Sequence, residues 1–255
     1  MQPRGGELDD DFGGTDLDRA VWFPHYLPAW SSRARSAATY AVRGSCLVLT
    51  IPPAQGLWCA GDHEPALRVS GVQTASWSGA VGTTRGQQPY RDGLRVREAQ
   101  EPFAGWTPGP GWVEVRARAD VAGRSMVSAW LVGLEDEPER CAEICVFEIF
   151  SDAVEPGRSA AVGSGLHRFR DPAVTEDFAA PRLPVDVTEW HTYGARWDAS
   201  VLETTVDGEA VRTCAAPPTY PLQLMLAVFD FPDRASADDR DHVPRLEIDR
   251  VRGRG

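Results

Sequence analysis

Two glutamates in one apolar segment have the residue type and spacing best suited to catalysis. Glu143 and Glu148 lie five positions apart in the run Glu-Ile-Cys-Val-Phe-Glu. Carboxylates are costly to bury among such residues, so each glutamate is either a salt-bridged or rim-exposed carboxylate or part of a functional site. Two carboxyl groups in one groove can cleave a glycosidic bond, one as nucleophile and the other as acid/base. Configuration is retained when they lie about 5–5.5 Å apart.

The segment that carries these glutamates is predicted to be a β-strand, which constrains where the side chains point. Alternation along a strand places Glu143, Cys145 and Phe147 on one face and Glu148 on the other. A β-bulge adds one residue to a strand and reverses this alternation. The spacing therefore predicts a bulge between Cys145 and Glu148 if both carboxyls are to work together.

The elements around this strand predict an all-β chain, because short alternating runs are separated by Gly- and Pro-rich turns. Asp207-Gly208 joins two such runs and is a strong hairpin signal. No amphipathic helix longer than two turns is expected, residues 151–184 are expected to be rich in loops, and residues 1–20 are expected to form a loose segment before a single domain at 21–255. Strands are predicted at 45–51, 67–74, 93–99, 111–120, 125–132, 201–206, 209–213, 221–231 and 245–252.

Several segments together resemble glycoside hydrolase family 16, whose active-site strand reads Glu-x-Asp-x-x-Glu or Glu-x-Asp-x-Glu. Cys145 stands at the position of the central aspartate. The resemblance covers roughly residues 40 to 252 and rests on the order and spacing of its segments. These segments are 44–49, 71–76, 111–117, 128–133, 143–148, 190–197, 206–208 and 248–252.

The resemblance implies a jelly-roll β-sandwich of two antiparallel sheets with a concave substrate groove. It makes Glu143 the nucleophile and Glu148 the acid/base. Cys145 is expected to be a neutral thiol, because two flanking carboxylates disfavour a thiolate. Loss of one like charge is expected to lower the pKa of the acid and to shift the pH profile.

Candidate substrate-binding residues are two tryptophans, two arginines and a histidine, each with a structural alternative. Trp130, on the strand before the glutamates, is either a sugar-stacking platform or core, whereas Trp106 lies in a turn-rich loop where exposure and stacking are expected. Arg95 and Arg97 are candidates for a hydroxyl contact or belong to a solvated face. His167 lines the groove or is a satisfied loop histidine.

Composition excludes several classes of function. The net charge is −11 and the basic residues, all arginines, are interspersed with acidic ones, so a nucleic-acid partner is not expected. Without lysine there is no Schiff-base chemistry. Five cysteines lack metal-ligand spacing, so neither a metal nor a cofactor is expected, and the acidic run at 233–241 is predicted to be a solvated loop.

No signal peptide or membrane span is recognisable, so the chain is predicted to be cytoplasmic, or secreted if an export signal was removed. The expected function is a retaining endo-β-glucanase-like hydrolase acting on a polysaccharide or oligosaccharide. Two alternatives remain: an intracellular enzyme repurposed on the same scaffold for a small metabolite, and a non-catalytic carbohydrate-binding protein. The oligomeric state, the linkage and the exact polysaccharide are left open.

Overall fold

Short strands make up most of the regular structure in the computed structural model, which describes residues 2–236 and 241–255. The helical elements described are one turn each: Pro28–Trp30, Arg33–Ser36, Ser151–Ala153 and Pro232–Arg234. The strands are β1 (Glu7–Asp10), β2 (Tyr40–Val42), β3 (Leu47–Thr50), β4 (Arg68–Gln73), β5 (Ala75–Ser76), β6 (Phe103–Ala104), β7 (Gly111–Asp120), β8 (Ser125–Gly133), β9 (Glu143–Phe150), β10 (Val154–Glu155), β11 (Ser159–Ala161), β12 (Gly163–His167), β13 (Asp177–Ala179), β14 (Arg182–Leu183), β15 (His191–Trp197), β16 (Val201–Val206), β17 (Glu209–Ala215), β18 (Leu222–Asp230) and β19 (Arg245–Arg254).

Two antiparallel sheets form a sandwich, so the predicted fold class is confirmed. The eight-stranded sheet has the order β17-β16-β15-β7-β19-β3-β2, and β1 pairs with the far end of β19. The six-stranded sheet has the order β13-β12-β9-β8-β18-β4 and carries the glutamate strand β9 near its middle. The strands β10-β11-β14 and β5-β6 form two smaller sheets at the periphery.

The main core lies between the two sheets, where alternate residues of facing strands meet. Val113 and Val115 of β7 and Val127 and Leu131 of β8 are fully buried there. Residues with β-branched side chains suit these positions, because they pack well on a pleated surface. The exposed residues of β7, such as Arg116, alternate with the buried ones, as the period of two predicts.

A second apolar cluster covers the other face of the six-stranded sheet, which we call its outer face. Loops from the first hundred residues lie over this face and pack Trp30 and Trp58 against Met225 and Phe229 of β18. The outer face is therefore largely filled by side chains of this chain.

The hairpin prediction is confirmed: β16 and β17 pair around Asp207 and Gly208, whose φ angles of 52° and 82° are those of a tight primed turn. One other prediction is wrong, because residues 93–99 form a loop. The segment 151–184 is rich in loops as predicted but also contains five short strands, two of which (β12 and β13) belong to the six-stranded sheet.

The prediction of a loose segment at residues 1–20 is also wrong for its central part. Glu7–Asp10 pairs with β19, and the side chains of Leu8, Phe12 and Leu17 are buried in the main core. Burial of these apolar side chains fixes an otherwise acidic segment. Within the acidic run at 233–241, residues 237–240 lie outside the described residues.

Candidate active site

The predicted β-bulge is present in β9. Ala129 of β8 pairs with Phe147, and the next residue, Trp130, pairs with Cys145, so Val146 has no counterpart across the ladder. The register on the other side of β9 shifts at the same place, since Gly163 pairs with Glu148 and Gly165 with Cys145. The extra residue that the spacing required is thus Val146.

The bulge changes which residues of β9 face the core. Ile144 and Val146 lie in the main core before the bulge, and Phe147 and Ile149 lie in it after the bulge. The other residues of this stretch, Glu143, Cys145 and Glu148, consequently share the outer face. The strand therefore presents two carboxyl groups and one thiol to the same side of the sheet.

Neither glutamate has a hydrogen-bond or ion-pair partner within the part of the chain that the structure describes. Both side chains are half-buried. A carboxyl group in such surroundings is normally satisfied by an arginine or by backbone N–H groups. Two unpaired carboxyls on one strand are instead what a site that acts on a ligand requires.

Burial raises the pKa values of both glutamates, and nearby carboxylates add to the rise at Glu143. Burial, with the charges of Glu148 and Glu176, raises the pKa of Glu143 to about 8. Burial also raises the pKa of Glu148, and the nearby His167 partly offsets this rise. The pair as a whole therefore holds a proton to higher pH than ordinary glutamates do.

Cys145 is a buried neutral thiol between the two carboxyls. Burial and the charges of Glu143 and Glu148 raise its pKa well above the usual range of a cysteine. Its Sγ–H group points to the carbonyl of Gly163 on β12, with 3.7 Å between Sγ and O. The thiol therefore neither competes as a nucleophile nor donates to a glutamate.

His167 lies directly across from Glu143 on β12, so the structure brings this candidate to the site. Its Nδ1 is 2.6 Å from a carboxylate oxygen of Glu176, and its ring stacks on Phe178 at a centroid distance of 4.4 Å. A Cβ at Gly163 would lie 2.5 Å from the Phe178 ring, so glycine makes room for that ring. The histidine is thus held in place beside the glutamates.

Neither candidate tryptophan is exposed as stacking on a sugar would require. Trp130 faces the outer side beside Cys145 but is only 5% exposed, and its ring packs 6.0 Å from that of Phe229. Trp106 is 3% exposed in the main core, and its Nε1 donates to the carbonyl of Gly6. The exposure predicted for Trp106 is wrong, because the N-terminal segment covers this loop.

Arg95 and Arg97 are exposed on a loop, and no contact with either glutamate is described for them. Arg97 pairs with Asp62 at 2.7 Å, and Arg95 donates to the carbonyl of Gly82 at 2.7 Å. Two residues that the sequence did not reveal do reach the site electrostatically: Tyr26 and Glu176 each interact with Glu143. They come from distant loops, so no local spacing indicated them.

No group of three or more His, Cys, Asp or Glu side chains within residues 2–236 and 241–255 is arranged to hold a metal ion. Among the same residues, no helix has the length and apolarity needed to cross a membrane. The five cysteines are free thiols.

Solved structures of endo-acting glycosidases have the same fold. An endo-β-galactosidase from Clostridium perfringens that releases GlcNAcα1-4Gal aligns with a TM-score of 0.79 and 23% identity, covering 99% of this chain and 64% of that one. An endo-1,3-β-glucanase (laminarinase) catalytic domain from Thermotoga petrophila aligns with a TM-score of 0.65 and 17% identity over 97% and 96% of the two chains.

A non-specific endo-β-1,3(4)-glucanase of glycoside hydrolase family 16 also aligns, with a TM-score of 0.63 and 17% identity over 99% of this chain and 92% of that one. No protein-family model matches the sequence, and no curated protein matches it. The structural likeness, at 23% identity or less, therefore shows the jelly-roll fold shared with these glycoside hydrolases.

Proposed function

We propose that the protein is a retaining endo-glycosidase that cleaves a β-linked polysaccharide, with Glu143 as nucleophile and Glu148 as acid/base. The observation that carries this proposal is the bulge at Val146, which brings both carboxyls to the outer face of the six-stranded sheet. A pair of carboxyls without structural partners is the equipment that such a reaction needs.

In the first step the ionised Glu143 attacks the anomeric carbon of the sugar. A bond forms between that carbon and the Glu143 carboxylate oxygen while the glycosidic C–O bond breaks. The protonated Glu148 gives its proton to the departing oxygen, so the leaving sugar is released as a neutral alcohol.

In the second step Glu148, now ionised, takes a proton from a water molecule as that water attacks the anomeric carbon. The ester bond to Glu143 breaks, and the sugar is released with its original configuration. Both carboxyls return to their starting states, so the cycle consumes one water and no cofactor.

The expected substrate is a β-glucan of the laminarin or lichenan type or a related β-galactan. The neighbours in fold include an enzyme named as an endo-β-galactosidase and others named as endo-β-glucanases. The glycosidic linkage that is cleaved is therefore tested with polymers of different linkage.

A second candidate, an enzyme on the same scaffold that acts on a small molecule, is favoured by one observation. Trp30, Trp58 and Trp130 are at most 5% exposed, so they fill the outer face and do not line an open groove. Such a face leaves less room for a long polysaccharide than an open cleft does.

Reducing-sugar release from laminarin, lichenan and a β-1,4-galactan tests the proposal with wild type and Glu143→Gln. We expect release by wild type from at least one polymer and its loss in the variant. Wild type that leaves all three polymers intact, while a small aryl β-glycoside is cleaved in a Glu143-dependent way, would instead support the small-molecule enzyme.

A further inference from the structure

A cavity of about 180 Å³ lies between the loop that follows β8, the loop that follows β12 and the segment at 88–90. Tyr26, one of its lining residues, links it to the catalytic pair, since the charge of Glu143 contributes to raising the pKa of Tyr26. Cys141, two positions before Glu143, also lines it. The other lining residues used below are Tyr90, Gln88, Glu135, Phe169 and Arg170.

Three of the eight residues that line this cavity have a left-handed backbone although none of them is a glycine. The φ angles are 45° at Gln88, 56° at Glu135 and 46° at Phe169. This region is unfavourable for residues with a side chain, and most of all for a bulky one such as phenylalanine. Non-glycine residues held in this region cluster at ligand-binding and active sites, so their concentration around one cavity indicates a binding role.

An internal ion pair holds these strained residues in place. Glu135 is 4% exposed, and its carboxylate accepts hydrogen bonds from the backbone N–H of Gln88 and from the guanidinium of Arg170. The three segments around the cavity are thereby tied to one buried carboxylate. Such a pre-organised wall is typical of a specific site.

Phe169 offers an aromatic surface at the cavity. Its side chain is 51% exposed, which is unusual for a phenylalanine, and its ring lies 5.9 Å from that of His167. An exposed aromatic ring beside catalytic carboxyls suits the apolar C–H face of a pyranose. On the polar side, Oε1 of Gln88 is buried without a hydrogen-bond partner and can accept from a sugar hydroxyl.

The charges around the cavity favour a neutral ligand. Arg170, the basic residue among those that line the cavity, is paired with Glu135, and Tyr26, another lining residue, interacts with the carboxyl of Glu143. A uronic acid or a sulfated sugar would bring a further negative charge to this group, at a cost in binding.

We propose that this cavity is a subsite for one neutral hexopyranose ring, stacked on Phe169 and hydrogen-bonded to Gln88. A volume of about 180 Å³ is smaller than the roughly 300–1,000 Å³ of pockets for drug-sized ligands and suits a single ring. The place of this ring next to the scissile bond rests on the proposed function. The recognition itself depends only on the cavity.

Saturation-transfer NMR with methyl β-D-glucopyranoside, methyl β-D-galactopyranoside and methyl β-D-glucuronide measures this binding directly. We expect transfer to at least one neutral glycoside in wild type, a signal about fivefold weaker in Phe169→Gly, and no transfer to the glucuronide. Ser45→Gly is the matched control, because Ser45 has a φ of 54° on an exposed turn away from the cavity. Both glycine variants relieve backbone strain, so both are expected to melt at or above the temperature of wild type.

Equal transfer in wild type and Phe169→Gly, equal binding of the glucuronide, or no transfer to any neutral glycoside would each overturn the subsite. The outcome is separable from the proposed function. Neutral-glycoside binding that needs Phe169, without cleavage of any polymer, would support the subsite and reject the hydrolase. Cleavage that is lost in Glu143→Gln but unaffected by Phe169→Gly would do the reverse.

Discussion

Carboxylates on the outer faces of the two sheets differ in whether they are paired with arginines. On the eight-stranded sheet, Glu114 pairs with Arg252 at 2.5 Å, and Glu247 pairs with Arg118 at 2.8 Å. On the six-stranded sheet, no partner of this kind is described for Glu143 or Glu148 within residues 2–236 and 241–255. The chain has 26 basic residues, all of them arginines, so it does not lack the means to pair them.

The difference shows which carboxylates are structural and which are available for chemistry. A surface ion pair contributes about 0–1 kcal/mol and keeps its carboxylate ionised over the whole neutral range. An unpaired, half-buried carboxyl group holds its proton to higher pH and costs stability when it ionises. Ionisation of the β9 glutamates therefore lowers folding stability, whereas the glutamates of the other sheet are stabilised in their ionised form by arginines.

The largest expected effect is on catalysis. Glu143→Gln is expected to lower kcat by at least about a thousandfold, because the amide cannot form the covalent intermediate. Glu247→Gln, the matched change on the other sheet, is expected to leave kcat within about twofold. Steady-state kinetics on the best polymer substrate checks both, and comparable losses in the two variants would erase the distinction between the faces.

The next effect is on stability and has a definite sign. With a pKa of about 8 in the folded protein and a normal value near 4.5 when unfolded, Glu143 binds a proton in the folded state that the unfolded state has lost. Folding stability therefore falls as pH rises through this window. Glu143→Gln removes the penalty and is expected to gain about 1–3 kcal/mol relative to wild type between pH 5 and pH 8.

Urea unfolding at pH 5, 6.5 and 8 measures this change. Glu247→Gln loses its bond to Arg118 and is expected to be slightly destabilised, by less than about 1 kcal/mol at each pH. A difference between Glu143→Gln and wild type that does not vary with pH would mean that Glu143 ionises normally in the folded protein.

Cys145 sets the third comparison, since it stands between the two carboxyls. In the proposed mechanism the active pair holds one proton, so kcat/KM is expected to rise with pH as the doubly protonated pair loses its first proton. It is expected to fall above about pH 8, where the second proton leaves. Cys145→Asp adds a third carboxyl and is expected to raise the pKa values of both glutamates, which moves the alkaline limb up by about one pH unit. Cys145→Ser, the neutral control, is expected to leave that limb in place.

The smallest effect is expected from Glu176, which raises the pKa of Glu143 from a distance. Glu176→Gln removes this charge, so the alkaline limb of the kcat/KM profile is expected to move down by a few tenths of a pH unit. Glu209→Gln, on the exposed hairpin, is the control for a remote carboxylate. An alkaline limb that moves to higher pH in Glu176→Gln would contradict a repulsion between the two carboxylates.

Local patterns predicted those parts of the fold that depend on local geometry. The five-residue spacing of Glu143 and Glu148 required the bulge, and Asp207-Gly208 required a primed turn; both are present. The burial of Trp106 was not predictable in this way, because Gly6 and Gly253 come to it from the two ends of the chain.

Long-range contacts also decided the parts of the site that the sequence did not reveal. Tyr26 interacts with Glu143 although the two residues are far apart in the chain, and the exposure of Phe169 likewise has no local signal in the sequence. The pKa of Glu148 shows the same limit. Loss of the central aspartate predicted a pKa lower than in a chain that keeps it, and this stays a prediction, whereas the burial that raises the pKa above that of an ordinary glutamate was not predicted.

The central claim is that Glu143 and Glu148 act together on one sugar, and trapping the covalent intermediate tests it most directly. Wild type is incubated with a 2-deoxy-2-fluoro glycoside of the preferred sugar that carries a good leaving group, and its peptides are mapped by mass spectrometry. We predict one glycosyl adduct on the peptide that contains Glu143, located to that residue by fragmentation and absent in Glu143→Gln. An adduct on Glu148, or polymer cleavage with inversion of configuration, would contradict the assignment.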